Sequence, residues 1–229
     1  MVPEFRKIRL RFSKLGPLKF ISHLDLDRTM KSAITRSGVK IEYTHGYNPR
    51  PHLVFSLPAS LGMESKSEFL DIKAESGVSP EDVKDRLNAA LPPDIRMLEA
   101  YEPQSDFKQI SSSEYDITLT GPGIDCSAPE KIGEMFKGPV IVEKRTKKTE
   151  SGTVPFDIAP YVRIGSCEFS DGRLFMNVTA SASNVTYINP DLIVKAICSR
   201  LGAEMTDPET SLYTVLRTRV FFENGEQFR

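Results

Sequence analysis

The sequence has few cysteines, and their positions exclude several kinds of metal and redox site. Its three cysteines, Cys126, Cys167 and Cys198, lie 41 and 31 residues apart. Zinc ribbons, thioredoxin-type redox sites and iron–sulfur clusters all require closely spaced cysteines, which this chain does not have. We therefore expect no metal site built on cysteine, and thiols that are small buried side chains.

The sequence also lacks long apolar runs and the common catalytic motifs. Its longest stretch without a charged residue, Leu174 to Pro190, is rich in Ser, Thr and Asn, a composition unsuited to a bilayer. The first residues, MVPEFRKIRLRF, carry charges where a signal peptide has its apolar core. No P-loop, GxGxxG, GxSxG or HExxH motif occurs. We expect a cytoplasmic protein without membrane association or a bound cofactor.

The chain does have an uneven distribution of charge. Residues 1–52 contain eleven Lys and Arg against four Asp and Glu, whereas the remaining residues contain 19 against 27. All three histidines, His23, His45 and His52, also lie in this basic quarter. Such asymmetry indicates an anionic partner, most often nucleic acid. The alternative is that the basic quarter pairs with the acidic remainder of the same chain.

Hydropathy periods predict the elements of the first half. KIRLRFS, residues 7–13, alternates strictly between charged and apolar residues, which predicts a half-buried strand. A helix is predicted from the cap Ser22 to Gly38, with an apolar stripe facing the core. Its members are Leu26, Met30, Ala33 and Ile34. Further strands are predicted at 39–43, 53–57, 67–74 and 94–103, and a second helix is predicted at 79–91.

The second half repeats this order of elements, with a polar loop predicted at 144–155. Strand, helix, two strands, helix and strand, twice over, predict an α+β protein of two tandem ferredoxin-like (βαββαβ) domains. We place the first, basic domain at residues 1–105 and the second at 111–229.

The predicted first strand has a basic outer face. In a ferredoxin-like domain both helices cover one face of the sheet, and single-stranded RNA commonly binds the other face. We therefore predict an RNA-binding surface in which cations contact phosphate and other side chains stack or hydrogen-bond. Its members are Lys7, Arg9, Arg11, Lys14, Lys19, His23, Arg28, Lys31, Tyr47, Asn48, Arg50 and His52. A domain interface or a solvated face would also account for the basic strand.

The turn GYNPRP, residues 46–51, combines two prolines with an aromatic residue, an amide and an arginine. Pro49 and Pro51 fix their own φ and favour extended backbone at the residues before them. A turn stiffened in this way loses little entropy on binding, so Tyr47 and Arg50 are preorganised for stacking and phosphate contact. Three carboxylates, Glu64, Glu68 and Asp71, follow soon after the turn, but their spacing does not indicate a metal site, and we expect a solvated loop and strand end there.

Two long segments carry a resemblance to a known family. KIRLRFSKLGPLKFISHLDLDR and HGYNPRPHLVFSLPASLGMESKSEFLDI, with the late VLRTRVFF, are similar to the bacterial radical-SAM-linked proteins, which are often encoded beside a radical SAM enzyme or fused to its end. The resemblance covers nearly the whole chain and is strongest over residues 6–75. It implies an auxiliary protein in radical SAM chemistry, acting in RNA modification, but it supplies no catalytic residue. The chain lacks the CxxxCxxC motif of the radical enzyme itself.

The leading hypothesis is thus a non-enzymatic protein that binds RNA or presents a substrate to a radical SAM enzyme. One alternative is a metal-independent endoribonuclease with His23 or His45 as general base, since tandem ferredoxin-like halves with an early histidine resemble the CRISPR repeat-processing endoribonucleases in fold. Another is a protein-docking module whose basic quarter binds an acidic surface.

Overall fold

The computed structural model describes residues 4–146, 152–203 and 212–229. The chain divides into two compact units, Met1–Gln109 together with Arg229, and Ile110–Phe228. Both units combine helices with antiparallel strands, so the predicted α+β class is confirmed. None of the helices in the described ranges has the length and apolar composition needed to cross a bilayer.

The first unit contains four strands, two α-helices and two short 3-10 turns, in the order strand, helix, strand, strand, helix, strand. The elements are β1 (Phe5–Lys14), a 3-10 turn (Gly16–Phe20), α1 (His23–Ser37), β2 (Val54–Ser56), β3 (Glu64–Glu75), α2 (Pro80–Ala90), β4 (Ile95–Tyr101) and a second 3-10 turn (Phe107–Gln109). Strand β1 pairs antiparallel with both β3 and β4, and the short β2 pairs antiparallel with β3.

The core of the first unit lies between this sheet and its two helices. Ile8, Leu10 and Phe12 of β1 are buried in that core, and the predicted stripe of α1 is also buried. The Ser22 hydroxyl accepts a hydrogen bond from the amide of Asp25 at 3.1 Å, and Gly38 ends the helix at φ 68°. Both helix boundaries are therefore confirmed.

Residues 39–57 are less regular than predicted. Only Ile41 and Tyr43 of the predicted strand 39–43 form isolated bridges, with Ala74 and Pro51 respectively, and the predicted strand 53–57 is reduced to β2. Proline has no amide hydrogen to donate to a ladder. The prolines at 49, 51 and 58 therefore limit the ladder bonds of the segment that follows the turn, whereas residues 40–42 keep two backbone hydrogen bonds with β3.

The second unit repeats the order of elements with an added hairpin. Its elements are β5 (Ser112–Thr120), α3 (Ala128–Met135), β6 (Ile141–Arg145), β7 (Thr153–Asp157), a 3-10 turn (Ala159–Tyr161), β8 (Val162–Ser170), β9 (Arg173–Ser181), α4 (Pro190–Leu201) and β10 (Leu212–Phe221). Strands β10, β5, β9 and β8 form an antiparallel sheet in that order, and β6 pairs with β7 in a separate two-stranded sheet.

Two predictions for the second unit need correction. The predicted loop 144–155 is in part the hairpin of β6 and β7, since its ends pair as strands, while residues 147–151 lie outside the described residues. The expectation of buried thiols holds for Cys198, but Cys167 is only partly buried and Cys126 is exposed. Burial raises the pKa of the Cys167 thiol to about 11, so this side chain stays a protonated thiol near neutral pH.

Candidate nucleic-acid interface

Arg9, the central cation of the predicted RNA-binding strand, is buried. Its side chain has 0% exposure, and its Nε and Nη2 donate to the two carboxylate oxygens of Asp71 at 2.8 and 3.0 Å. It also donates to the hydroxyl and carbonyl oxygens of Ser105, both at 3.0 Å, and its guanidinium lies 4.0 Å from the centre of the Phe107 ring. The prediction that Arg9 stands on an open sheet face is wrong, because residues 105–107 cover it.

The two flanking cations of β1 are also paired with carboxylates. Lys7 Nζ lies 2.7 Å from Asp71 Oδ2, and Arg11 Nη2 lies 2.6 Å from Glu99 Oε1. Lys7 keeps an exposed side, whereas only 18% of the Arg11 side chain is exposed. Asp71 and Glu99 lie outside the basic quarter. At β1, therefore, the cations of the basic quarter pair with carboxylates from the remainder of the same chain, as the alternative explanation of the charge asymmetry holds. Residues 1–109 as a whole contain 17 Lys and Arg against 15 Asp and Glu.

The cations on and near α1 differ in their availability. Lys14 is buried, which contradicts its predicted place on an open surface. Lys31 pairs with Asp27 at 2.6 Å, while Arg28 pairs with Asp25 at 3.0 Å but stays largely exposed. Exposed pairs of this kind contribute little to stability, so Arg28 can still exchange its partner for a phosphate.

A hairpin formed by residues 41–52, the projecting hairpin, keeps its predicted site residues in solvent. Its base is anchored at β3, where the amide of Glu42 donates to the carbonyl of Lys73 at 2.8 Å. Across the hairpin the amide of His52 donates to the carbonyl of Glu42 at 3.1 Å, and the amide of Thr44 donates to the carbonyl of Arg50 at 2.8 Å. These bonds hold the two sides together and leave residues 45–50 at the tip.

The side chains at the tip are available to a ligand. Tyr47 is fully exposed, and His45, Asn48 and Arg50 are exposed beside it. Within the described residues none of these four side chains has a hydrogen bond or an ion pair. The predicted cluster of aromatic residue, amide and arginine is thus brought together on one tip, and only the backbone of Arg50 is bonded, donating to Thr44 Oγ1 at 3.0 Å.

The base of the projecting hairpin carries a mixed charge cluster. The Glu42 carboxylate lies 2.8 Å from Lys73 Nζ and 3.8 Å from His52 Nδ1. The hydrogen bond from Lys73 is the main reason that the pKa of Glu42 lies below its ordinary value. The contribution of His52 to closing the hairpin is its backbone amide, while 46% of its side chain is exposed.

The two histidines proposed as general bases lie on different elements. His23 is exposed at the start of α1, and its ring packs edge-on against Phe55, with 5.2 Å between the ring centres. His45 lies at the tip of the projecting hairpin. Within the described residues, no three His, Cys, Asp or Glu side chains are grouped so that they could hold a metal ion.

The three carboxylates after the proline turn have structural partners. Glu64 accepts from the amide of Gly16 at 2.8 Å, and Glu68 accepts from the amide of Ala59 at 3.2 Å. Glu68 and Asp71 are buried, so the expectation of a solvated loop and strand end is wrong for both. The ion pairs of Asp71 with Arg9 and Lys7 of β1 explain why this carboxylate can be buried.

Sequence reasoning missed a group of exposed apolar side chains in the first unit: Phe20, Leu24 and Leu61. Leu24 falls outside the apolar stripe of α1, and Leu61 precedes Gly62 in a turn. Both positions usually carry polar residues. An apolar residue at a position that is usually polar is the signal by which the sequence alone could have revealed these side chains.

Two solved structures show distant similarity to this chain. A chain in the crystal structure of a Cbf5-Nop10-Gar1 complex shares 13% identity with a TM-score of 0.47, and the match covers 94% of this chain and 50% of that one. A proposed glycine cleavage system transcriptional repressor shares 9% identity with a TM-score of 0.21, over 93% of this chain and 98% of that one. This chain spans half the length of the first of these two chains.

Comparison with protein families gives a clearer result. No curated protein matches the chain. A family model described as an uncharacterized protein conserved in bacteria (DUF2344) matches residues 7–190, a range that includes most of β1 and all of α1 and the projecting hairpin. Because this match covers most of the sequence, the chain belongs to that bacterial family.

Proposed function

We propose that this protein binds single-stranded RNA at the projecting hairpin and presents it, as an auxiliary protein, to a radical SAM enzyme. The observation that carries the RNA part is the fully exposed Tyr47 on a hairpin whose base is fixed to β3. An exposed aromatic ring on a fixed support is a stacking platform, and stacking on such a ring contributes roughly 1–3 kcal/mol per base.

The other side chains of the tip fit the same ligand. Arg50 has no carboxylate partner within the described residues, so its guanidinium can contact a phosphate without breaking an ion pair. Asn48 can donate to and accept from the edge of a base. His45 adds a second ring with hydrogen-bonding nitrogens at the same tip. Together these groups recognise a base and its phosphate rather than charge alone.

We further propose that each unit is a ferredoxin-like domain. The strand order β4-β1-β3-β2 in the first unit and β10-β5-β9-β8 in the second supports this, together with the repeated order of elements. The sheet face that binds RNA in many such domains is covered at Arg9 in the first unit. This is why the proposed site is the hairpin and not the first strand.

The radical SAM part of the proposal rests on the resemblance of two segments. One runs from β1 into α1, and the other contains most of the projecting hairpin. A protein that holds RNA beside a radical enzyme needs RNA-binding groups but no catalytic residue of its own. The tip of the projecting hairpin supplies such groups. The test is whether a radical SAM enzyme encoded beside this protein modifies RNA only when both proteins are present.

RNA binding is tested by the fluorescence anisotropy of labelled oligouridylate titrated with the full chain. We expect Tyr47→Ala to weaken binding while Tyr213→Ala, which removes a partly exposed tyrosine of the second unit, leaves it unchanged. Equal affinity of both variants and the parent would refute the hairpin site. If the RNA is cut to products ending in 2′,3′-cyclic phosphate and His45→Ala or His23→Ala abolishes cleavage, the protein is an endoribonuclease instead.

A further inference from the structure

Strand β8 of the second unit, Val162–Ser170, pairs with β9 on one side only. Within the described residues its backbone bonds to β9 and, at Val162, to the preceding 3-10 turn, and to no other element. We name its other side the open edge. Amides and carbonyls along such an edge are a template on which a further strand can pair.

Two other strand edges are protected in ways that β8 is not. In β4 the side chain of Asn88 occupies the backbone of Met97, donating to its carbonyl at 3.0 Å and accepting from its amide at 2.8 Å. Strand β2 has three residues and lies between prolines at 51 and 58. Short strands, prolines and covering groups are common means of preventing edge pairing. Strand β8 has nine residues and no proline.

The turn into β9 shows which backbone groups at the end of β8 face the open edge. Residues 171 and 172 both have positive φ, 50° and 72°, as a two-residue type I′ turn requires. Such a turn is closed by a hydrogen-bonded pair, here Ser170 and Arg173. Since hydrogen-bonded and non-hydrogen-bonded pairs alternate along an antiparallel ladder, Cys167 and Phe169 direct their amides and carbonyls away from β9.

The start of β8 faces the open edge in the same way. The amide of Val162 donates to the carbonyl of Ala159 in the 3-10 turn and not to β9, so Val162 directs its backbone away from β9. Ile164, two residues later, does the same. A bulge between Ile164 and Ser166 separates two regular stretches, residues 162–164 and 167–169. Both stretches therefore offer backbone groups to a further strand.

The side chains of the two stretches carry complementary groups. Arg163 and Glu168 are exposed, and within the described residues neither has an ion pair or a side-chain hydrogen bond. Their direct neighbours on β9, Thr179 and Phe175, are uncharged. The remaining residues of the two stretches are partly buried on the opposite face of the strand: Val162, Ile164, Cys167 and Phe169. Each stretch thus has one charge, of opposite sign, between two partly buried side chains.

We propose that the open edge pairs antiparallel with the open edge of a second copy of this chain, with Ile164 opposite Cys167 of the other copy. Residues 162–164 of each copy then pair with residues 167–169 of the other, which is the self-complementary contact of a two-fold dimer. The exposed arginine of each copy lies directly opposite the exposed glutamate of the other, and opposite charges so placed stabilise strand pairing. The partly buried side chains meet on the other face of the joined sheet.

The bulge of β8 is compatible with this pairing. A bulge can turn an edge strand away from a partner, but this one falls at the two-fold axis, where Gly165 of each copy faces Ser166 of the other. Both side chains are small, and the regular stretches lie on either side of the axis. The inference concerns the second unit and does not depend on the proposed RNA site.

Charge reversal tests the pairing by sedimentation equilibrium of the full chain. We expect the parent to form a dimer and Arg163→Glu to raise its dissociation constant about tenfold, because two symmetric pairs change from attraction to repulsion. Glu168→Arg should have the same effect, and the double variant Arg163→Glu with Glu168→Arg should regain the dissociation constant of the parent. Arg200→Glu reverses an exposed charge of α4 and should leave the dimer unchanged.

A disulfide crosslink tests the register. Directly opposite residues of an antiparallel pair have Cα atoms about 5.5 Å apart or less, within the range of a disulfide. Ile164→Cys, oxidised with diamide, should therefore give a covalent dimer in which position 164 is joined to the native Cys167 of the other copy, as mapped by mass spectrometry. Phe169→Cys is the matched control on the same strand and face. It lies opposite Val162 and should not be joined to Cys167.

Three outcomes would overturn the proposal. A parent chain that stays monomeric at every concentration would refute the dimer, and slow hydrogen exchange of residues 162–170 in that monomer would show that the chain covers its own edge. A dimer that forms equally in both single charge reversals, or that gives no crosslink in Ile164→Cys, would place the interface elsewhere. Failure of the double reversal to dimerise, with its circular dichroism unchanged, would show that the two charges do not face each other.

Discussion

Strand β1 and the projecting hairpin both contain an arginine that the sequence predicts to bind RNA, but the two arginines differ in exposure and in pairing. Arg9 of β1 is buried against Asp71 and beneath Phe107, and each of its neighbouring cations is also paired. Arg50 of the hairpin is exposed and has no side-chain partner within the described residues. A cation that is already paired must lose its carboxylate before it can contact phosphate, whereas Arg50 loses only water.

The comparison shows what net charge can and cannot indicate. The excess of cations in residues 1–52 suggests an anionic ligand, but much of it serves to neutralise carboxylates within the same unit. Availability depends on exposure and pairing, which charge counts do not record. The hairpin remains available because its prolines and its short attachment to β3 keep the tip outside the sheet.

The largest expected effect is on stability. Replacing Arg9 by Ala leaves the buried carboxylate of Asp71 without its bidentate partner, and breaking a buried pair in this way costs about 3–5 kcal/mol. We expect the free energy of unfolding, measured by urea denaturation, to fall by at least about 2 kcal/mol, because Lys7 still neutralises part of the charge. Arg50→Ala is the matched control and should change it by less than about 0.5 kcal/mol. Similar stabilities for the two variants would mean that the two regions do not differ.

The next effect is on RNA affinity. Tyr47→Ala removes the stacking platform, so binding of oligouridylate should weaken by roughly 1–3 kcal/mol. The free energy of unfolding should stay within about 0.5 kcal/mol of the parent, because the side chain makes no buried contact. A loss of stability as large as that of Arg9→Ala would contradict the exposed position of this ring.

A smaller effect distinguishes two exposed cations by the salt dependence of binding. Each phosphate contact with a single strand contributes roughly 0.7 to the slope of log affinity against log salt concentration. Arg50→Ala should therefore reduce that slope by about 0.7, whereas Lys7→Ala should leave it unchanged. A reduced slope in Lys7→Ala, with none in Arg50→Ala, would return the RNA site to β1.

The smallest effect concerns the base of the projecting hairpin at acid pH. The folded-state pKa of Glu42 is lowered below 4.5, chiefly by its hydrogen bond with Lys73. A lowered pKa means that the stabilising contribution is present above pH 4.5 and is lost as the pH falls through the folded-state value. An NMR titration of the Glu42 carboxyl should show a midpoint below 4.5. A midpoint at or above that value would show that the pair does not form in solution.

Local patterns predicted the α+β class and the helices of the first unit. The stripe of α1, its cap at Ser22 and its end at Gly38 follow from helical periodicity and capping rules, which act within a few residues. The predicted strand 39–43 is reduced to isolated bridges at Ile41 and Tyr43, although its residues bond to β3 on one side and to the returning arm of the hairpin on the other. The class and the order of elements were therefore accessible, whereas the extent of β2 depended on tertiary contacts.

The candidate site was accessible only in part. The cluster of Tyr47, Asn48 and Arg50 was visible because prolines and an aromatic residue in one short turn are unusual. The burial of Arg9 was not visible in the sequence. Its partners at positions 71 and 105–107 are distant along the chain, and the alternation of residues shows only on which side of a strand a side chain lies. The exposed side chains of Phe20 and Leu61 were missed for the same reason, because their segments meet through the backbone bond between Gly62 and Lys19.

The most direct test of the central claim, that the hairpin and not strand β1 contacts RNA, is ultraviolet crosslinking of the full chain to oligouridylate with mapping of the crosslinked residues by mass spectrometry. We predict crosslinks at Tyr47 or its immediate neighbours, which disappear in Tyr47→Ala. Crosslinks confined to residues 5–14, or crosslinking that is the same in the parent and in Tyr47→Ala, would contradict the claim.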